Sequence, residues 1–181
     1  MKLEIKHLAP YLPYGLRVTK DDWNNSLELG IHPQGNFSSN SVDCQYVLRV
    51  KAKPLLHPLS KLTEEIDHNG ETFIPAERLC AYGAEGMLDI NHEAAYKGKY
   101  TIEKSSDEFE LTNILVKPTD NKYSWLHITV GDDDVSFDVY FRTVNGNVRG
   151  AVLNQKMLFD KLHEWHFDLY NLLDNGLAKE K

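Results

Sequence analysis

Residues Trp125–Phe141 read WLHITVGDDDVSFDVYF, and apolar and polar residues alternate on both sides of the run Gly131–Asp134. This alternation is typical of β-strands with one buried face, and the turn residues between the two halves predict a hairpin. If Gly131–Asp134 forms a four-residue loop, Val130 lies opposite Val135. This register pairs apolar residues on one face and polar residues on the other, whereas a slip of one residue would mix the two classes.

The three aspartates Asp132–Asp134 lie at the tip of the predicted hairpin. Aspartate tolerates turn conformations and hydrogen-bonds its own backbone, which favours a turn. A calcium-binding loop would space its oxygen ligands as D-x-[DN]-x-[DN]-G with a distal Glu, and GDDDVSFDVYF lacks that order. We interpret the run as a turn and predict no metal site; the alternative is a divalent ion held loosely by the adjacent carboxylates.

The polar face of this hairpin is the candidate binding site. The register pairs Thr129 with Ser136, His127 with Asp138, Trp125 with Tyr140, and Tyr123 with Arg142. An imidazole beside a carboxylate suits acid–base chemistry, and aromatic rings with a cation can hold a base, a sugar or an aromatic side chain. We predict a binding surface formed by Trp125, His127, Asp138, Tyr140, Arg142 and Tyr123. No residue is assigned as catalytic, because no nucleophile is apparent beside the histidine. Two alternatives to a binding surface are ordinary cross-strand pairing on a solvated sheet and burial of this face under the N-terminal segments.

The flanking sequence extends the hairpin into a sheet and a helix. Further alternating segments between Tyr100 and Val152 predict an antiparallel meander. The stretch 155–173 carries Leu158, Leu162, Trp165 and Leu169 at helical spacing, which predicts an amphipathic helix packed on the sheet and closed by Asn175-Gly176. The predicted fold class is α+β: an antiparallel β-meander covered by a C-terminal amphipathic helix, with short helices in the middle. We expect a single domain over residues 1–181.

The first half of the chain predicts shorter elements. Extended or irregular pieces are expected at Leu3–His7, Leu16–Thr19, Leu27–Ile31 and Tyr46–Val50. Ser60 is the expected N-cap of a short helix through Ile66, which Asn69-Gly70 would stop. Pro75 suits the first turn of a second short helix, Ala76–Tyr82, closed by Gly83.

The charge of the chain bears on its partners, and its apolar pattern bears on its compartment. The net charge is −7, and residues 61–140 alone hold seventeen acidic residues against seven basic ones. Nucleic-acid binders usually display a basic footprint, so the charge does not support nucleic-acid binding and suits a protein partner better. No window approaches the roughly 18 consecutive apolar residues of a membrane span, and the N-terminal stretch has no secretory-signal pattern. We therefore expect a cytoplasmic protein.

Motifs of known chemistry are missing from the sequence. Cys44 and Cys80 have no Cys-x-x-Cys spacing, which favours two unpaired buried thiols over a disulfide framework or a zinc site. His163 and His166 in HEWH lack the H-E-x-x-H spacing of zinc peptidases, and no phosphate-cradling Gly loop or G-x-S-x-G occurs. We expect no cofactor. For enzymatic activity, the sequence favours its absence over its presence. The leading hypothesis is a non-catalytic accessory or protein-interaction protein; the alternatives are a nucleic-acid-associated protein using Trp125, Tyr140 and Arg142, and a hydrolase using His127 and Asp138.

Three stretches carry a resemblance to other proteins: IKHLAPYLPYGL, KPLLHPLSKLTEEIDHNGETFIP and LHEWHFDLYNLLDNGLA. They resemble segments of small uncharacterised proteins encoded in bacterial prophages. The resemblance implies a phage or mobile-element origin and a bacterial host cytoplasm. It transfers no catalytic or binding residue to this chain.

Overall fold

A computed structural model describes residues 1–30, 41–85, 100–106, 111–119, 124–131, 135–143, 146–152 and 155–181. The chain forms two compact units, one made of Met1–Pro58 with Leu162–Lys181 and the other of Leu59–Lys161. Helices and antiparallel sheets are both present, so the predicted α+β class is confirmed. The single domain over 1–181 stays a prediction beside this division.

The unit Leu59–Lys161 contains the predicted meander. Its strands are β7 (Tyr100–Ser106), β8 (Thr112–Pro118), β9 (Ser124–Val130), β10 (Val135–Thr143) and β11 (Gly146–Ala151). They form one sheet in the order β11-β10-β9-β8-β7, and every neighbouring pair is antiparallel. Consecutive strands are therefore neighbours throughout, as the alternating pattern predicts.

The register between β9 and β10 is the predicted one. Val130 lies opposite Val135, and the pairing continues outward one residue at a time to Ser124 opposite Phe141. The apolar face is buried across three strands; its buried residues are Ile114, Val116, Leu126, Ile128, Val135, Phe137 and Val139. Removing this face from water stabilises the sheet and makes a register slip costly.

Two helices contribute side chains to this apolar face. Helix α3 (Pro75–Glu85) packs against β8 and β9, and the Cys80 thiol lies 3.5 Å from the carbonyl oxygen of Val116. Helix α4 (Gln155–Glu164) places Phe159 edge-to-face against Phe137, with 5.2 Å between ring centroids. The C-terminal helix thus contacts the apolar face of the meander through Phe159. Helix α3 begins at the proline that the sequence indicates but continues through Gly83 to Glu85.

The helix predicted from Ser60 to Ile66 is wrong. A 3-10 helix covers Leu59–Thr63, and a two-stranded sheet of β5 (Ile66–His68) and β6 (Glu71–Phe73) follows. Asn69 and Gly70 connect these strands with φ values of +54° and +80°. Two consecutive residues with positive φ form the hairpin turn that matches the twist of antiparallel strands, so Asn-Gly turns a hairpin here and does not stop a helix.

The unit of Met1–Pro58 with Leu162–Lys181 holds a second sheet. Its elements are α1 (Ile5–Leu8), a 3-10 helix (Ala9–Tyr14), β1 (Arg17–Thr19), β2 (Leu27–Leu29), β3 (Ser41–Val42), α2 (Cys44–Val50), β4 (Lys53–Leu56) and β12 (Lys179–Glu180). The strand order is β12-β4-β1-β2-β3. The pairs β12–β4 and β2–β3 are parallel, and the pairs β4–β1 and β1–β2 are antiparallel. The core beneath it includes Leu8, Tyr11, Leu16, Val18, Leu29, Val47, Leu56 and Leu172.

Two extended segments predicted in this unit are helical. Leu3–His7 enters α1, and Tyr46–Val50 belongs to α2. The Asp43 carboxylate accepts the backbone N–H of Tyr46 at 2.7 Å, so it caps the N-terminus of α2 and offsets the low helix propensity of the β-branched residues that follow. The strands predicted at Leu16–Thr19 and Leu27–Ile31 correspond to β1 and β2.

The C-terminal helix is shorter than the predicted 155–173, because it ends at Glu164. His166 adopts a left-handed φ of +62°, Phe167 N–H bonds to Leu162 O at 2.9 Å, and His166 N–H bonds to His163 O at 3.0 Å. These two bonds are the Schellman pattern that closes helices. Leu158, Leu162 and Trp165 are buried as predicted, whereas Leu169 lies beyond the helix and is partly buried.

Candidate functional site

The polar face of the β9–β10 pair has the predicted pairing. His127 lies opposite Asp138, Thr129 opposite Ser136, and Trp125 opposite Tyr140. Directly opposed antiparallel positions place their Cβ atoms about 4.5–5.5 Å apart, so the register makes each pair cross-strand neighbours. The described side chains are accessible to different degrees: Ser136 is exposed, and His127 and Asp138 are half-buried.

Part of the predicted site falls outside the described residues. Tyr123 and the aspartates Asp132–Asp134 belong to that part, so the Tyr123–Arg142 pairing and the turn interpretation stay predictions. The side chains of Trp125, Tyr140 and Arg142 also lie outside the described part, although their strand positions are given. Their accessibility therefore stays a prediction as well.

Strand β8 brings an amide into this face that the sequence interpretation missed. Asn113 lies opposite Thr129, and its Oδ1 accepts a hydrogen bond from His127 Nε2 at 3.1 Å. The Thr129 hydroxyl lies 3.5 Å from the same oxygen, at the long limit for a hydrogen bond. Because a carbonyl oxygen only accepts, the proton of the His127 ring sits on Nε2 in this arrangement. Finding Asn113 from sequence would have required the register between β8 and β9.

The face continues onto β7 at the edge of the sheet. Glu103 lies opposite Leu115, Leu115 lies opposite His127, and His127 lies opposite Asp138. Asp138 lies opposite Ala151, so this row crosses all five strands from β7 to β11. Lys117 pairs with Glu103 at 2.7 Å; the Glu103 side chain is exposed and that of Lys117 is half-buried. An exposed ion pair of this kind contributes at most about 1 kcal/mol to stability. The row therefore presents mainly polar groups and one partly buried leucine.

Strand β11 adds a basic position on the other side. Arg149 lies opposite Tyr140, and Arg142 lies opposite Asn147. The sequence interpretation included Arg142 but not Arg149. The Asn145-Gly146 sequence does not give this pairing, because a two-residue turn centred on it would place Arg149 opposite Arg142, whereas Arg149 lies opposite Tyr140.

The chemistry of the described groups is that of hydrogen bonding. His127 Nε2 contacts the neutral amide of Asn113, and the Thr129 hydroxyl lies 3.5 Å from the same amide oxygen. Among the described residues, no group of three or more His, Cys, Asp or Glu side chains has a geometry that could hold a metal ion. This arrangement can present donors and acceptors to a partner, and it assembles neither a metal centre nor an activated nucleophile from the side chains the structure describes.

The two thiols are free and buried, which confirms the prediction of unpaired buried cysteines. Burial raises the pKa of the Cys80 thiol to about 12 and also raises that of Cys44. Since the thiolate is the nucleophilic form, neither group is activated for covalent chemistry at neutral pH.

Comparison with known proteins gives no relative to draw on. No protein-family model, curated protein or solved structure matches the chain. In the described part of the chain, no helix has the length and apolar character needed to cross a membrane.

Proposed function

We propose that this protein is a non-catalytic accessory protein that binds another protein through the polar face of the β7–β11 sheet. The observation that carries the proposal is the amide of Asn113, whose Oδ1 accepts from His127 Nε2 at 3.1 Å and lies 3.5 Å from the Thr129 hydroxyl on a half-accessible face. Polar side chains held in place lose little conformational freedom on binding, so a rigid row of donors and acceptors suits recognition. A phage or mobile-element origin and a bacterial cytoplasm belong to the same proposal.

The described contacts favour binding over hydrolysis. A general base needs an oriented imidazole within reach of the proton that it removes, and a carboxylate that raises its basicity. In the arrangement described above, the imidazole Nε2–H donates to an uncharged amide, and Thr129 donates to that amide as well. These contacts orient the ring for hydrogen bonding, and none of them supports the hydrolase alternative.

Nucleic-acid binding is the second candidate, and one observation favours it. The register places Arg149 opposite Tyr140, next to the Trp125 position, so aromatic and basic residues are neighbours on β9, β10 and β11. Base stacking on aromatic rings with a nearby cation is a common mode of single-strand recognition. The net charge of −7 weighs against it, because phosphate neutralisation supplies much of the affinity of such proteins.

One set of variants tests the proposal. Ser136→Arg adds a long side chain at an exposed position of the face, and Trp125→Ala with Arg142→Ala removes two predicted contact residues. Asn175→Arg, at an exposed position of the other unit, is the matched control. A tagged protein and each variant are used to capture partners from a bacterial lysate, and each is also mixed with labelled single- and double-stranded DNA and RNA at low and moderate salt.

The expected result is one protein captured by the wild type and by Asn175→Arg, but lost or strongly reduced with both face variants. Retention of the partner by folded Ser136→Arg and by the double variant would place the binding surface elsewhere. A gel shift that both face variants abolish, with no protein captured, would favour the nucleic-acid candidate.

A further inference from the structure

A groove of about 880 Å³ lies in the unit of Met1–Pro58 with Leu162–Lys181, far along the chain from the sheet face discussed above. One wall is the N-terminal stretch 2–6, and the other is the stretch 48–53, where α2 ends and β4 begins. Leu177 completes the lining. The groove thus belongs to one compact unit and is built from described residues.

The floor of the groove is apolar and incompletely covered. Leu3 is buried, Leu48 and Leu177 are half-buried, and Ile5 is 46% exposed. An exposed isoleucine is ordinary by itself, but here it stands beside three other apolar side chains in a concave surface. Filling this concavity with an apolar group would remove the accessible parts of Ile5, Leu48 and Leu177 from water.

The rim of the groove is strongly basic. Its cations are Lys2, Lys6, Arg49, Lys51 and Lys53, against the single carboxylate of Glu4, which pairs with Lys6 at 3.3 Å. The whole unit holds nine basic and nine acidic residues, so more than half of its basic side chains surround this one groove. A local excess of one charge on a neutral unit creates a field that attracts ligands of the opposite charge.

The backbone supports this arrangement at a conformational cost. Lys51 closes helix α2 with a left-handed φ of +57°, and Ala52 N–H bonds to Val47 O at 3.1 Å. Glycine or asparagine adopts this conformation with less strain than lysine. The turn that follows carries the chain directly into β4, so Arg49, Lys51 and Lys53 come to line one wall.

We infer that this groove binds an acidic peptide segment of a partner protein, with an apolar side chain on the Ile5–Leu177 floor and carboxylates on the basic rim. Because the rim is basic, the bound segment should carry negative charge. Because the floor is apolar, the segment should also carry an apolar side chain. A nucleic-acid backbone would satisfy the cations but leave the floor uncovered. A bilayer is a flat surface and would not reach into a concave one.

Fluorescence anisotropy on the full chain tests this inference. The probe is a short fluorescein-labelled peptide in which Glu and Asp flank Leu and Phe. Two control peptides replace the acidic residues with Lys, or the apolar ones with Ser. The variants are Arg49→Glu with Lys6→Glu, which reverses two rim charges, and Ile5→Ser, which removes the exposed apolar contact. Lys104→Glu, an exposed position of β7, makes the same kind of charge change outside the groove.

The acidic apolar peptide should bind saturably, with weaker binding as salt rises, and both control peptides should bind much less. Reversal of the two rim charges should weaken binding about tenfold or more, since like charges then face the ligand. Ile5→Ser should weaken it severalfold, and Lys104→Glu should leave it unchanged. Each variant is first shown to unfold at the wild-type urea midpoint, which is expected because the altered side chains are exposed.

Equal binding by wild type and the rim variant would overturn the inference, as would the absence of saturable binding. It would also be overturned if phosphatidylglycerol vesicles or a single-stranded oligonucleotide bound at the rim while the peptide did not. Ser136→Arg should leave peptide binding intact. The proposal for the groove and the proposal for the sheet face can therefore be refuted independently of one another.

Discussion

Replacing Asp168 with alanine should lower the free energy of unfolding by about 2–4 kcal/mol. Asp168 is only 5% exposed, and its carboxylate accepts backbone N–H groups from Leu172 at 3.0 Å, Leu173 at 2.7 Å and Tyr170 at 3.2 Å. It therefore organises the stretch that follows helix α4. The same residue donates its own N–H to His57 O at 2.9 Å, a bond that the substitution leaves in place.

The magnitude follows from the donors that lose their acceptor. A buried N–H without a partner costs about 1–3 kcal/mol, and the Leu172 donor is buried while the other two are partly accessible to water. Water can replace the carboxylate at the accessible donors, which reduces their share. Asp168→Asn should lose about half as much, because one carbonyl oxygen remains as an acceptor while the amide nitrogen cannot accept.

Urea unfolding followed by tryptophan fluorescence is the assay. Trp23 and Trp165 both belong to the unit of Met1–Pro58 with Leu162–Lys181, so the signal reports mainly on the affected unit. Asp174→Ala, at an exposed position of the same stretch, is the control and should change stability by less than about 0.5 kcal/mol. If Asp168→Ala unfolds at the same midpoint as that control, the carboxylate does not stabilise this segment and the reasoning is refuted.

Four further predictions concern the core, the thiols and metal. Leu162→Ala should cost about 2–5 kcal/mol because the side chain is fully buried, and an unchanged urea midpoint would contradict the packing. Stability should fall as pH rises from about 8.5 towards 12, because the folded chain holds the Cys80 proton that the unfolded chain releases; Cys80→Ala should make this fall shallower in urea midpoints measured against pH. Ellman's reagent should react with Cys44 and Cys80 in urea but slowly in the native protein, and rapid native labelling would show that the thiols are accessible. The purified protein should carry no stoichiometric metal by elemental analysis, and a melting temperature that drops with chelator would reveal ligands brought together from distant parts of the chain.

The meander could be predicted because its information is local. Leu126 and Ile128 alternate with His127 and Thr129, and only one register places them against Phe137 and Val139. A slip by one residue would expose several apolar side chains at about 1.5–3 kcal/mol each, so the pattern itself selects the pairing. Short connections then leave few topologies for the neighbouring strands.

The end of the last helix could not be predicted in the same way. Leu169, Leu172 and Leu173 continue the helical spacing, so the sequence shows no reason to stop at Glu164. The reason lies elsewhere in the unit: His166 Nε2 bonds to Tyr14 O at 2.8 Å, which holds a non-glycine residue in the left-handed conformation. Contacts between distant residues override local periodicity at this point.

The candidate site was predicted only in part, because some of its residues come from strands whose register the local pattern does not determine. The pairing of His127 with Asp138 depends on one hairpin, and the sequence contains all that is needed to find it. Asn113 and Arg149 come from β8 and β11, so their place on the face depends on two further registers. Each additional strand adds one more register to determine, and the turn residues in the connection 119–123 indicate a loop without fixing the register of the strands on either side.

The unit made of Met1–Pro58 and Leu162–Lys181 has a consequence for the order of folding during synthesis. Strand β12 pairs with β4 through Lys179 opposite Leu55, and Leu172 lies in the core with side chains from the first 58 residues. The N-terminal stretch therefore leaves the ribosome before the segments that complete its sheet and core exist, while all residues of Leu59–Lys161 become available earlier than those segments. Until they arrive, β4 presents an unpaired edge, which is the kind of surface that chaperones protect and that favours misassociation. The part of the protein that is translated first is thus the part that is finished last.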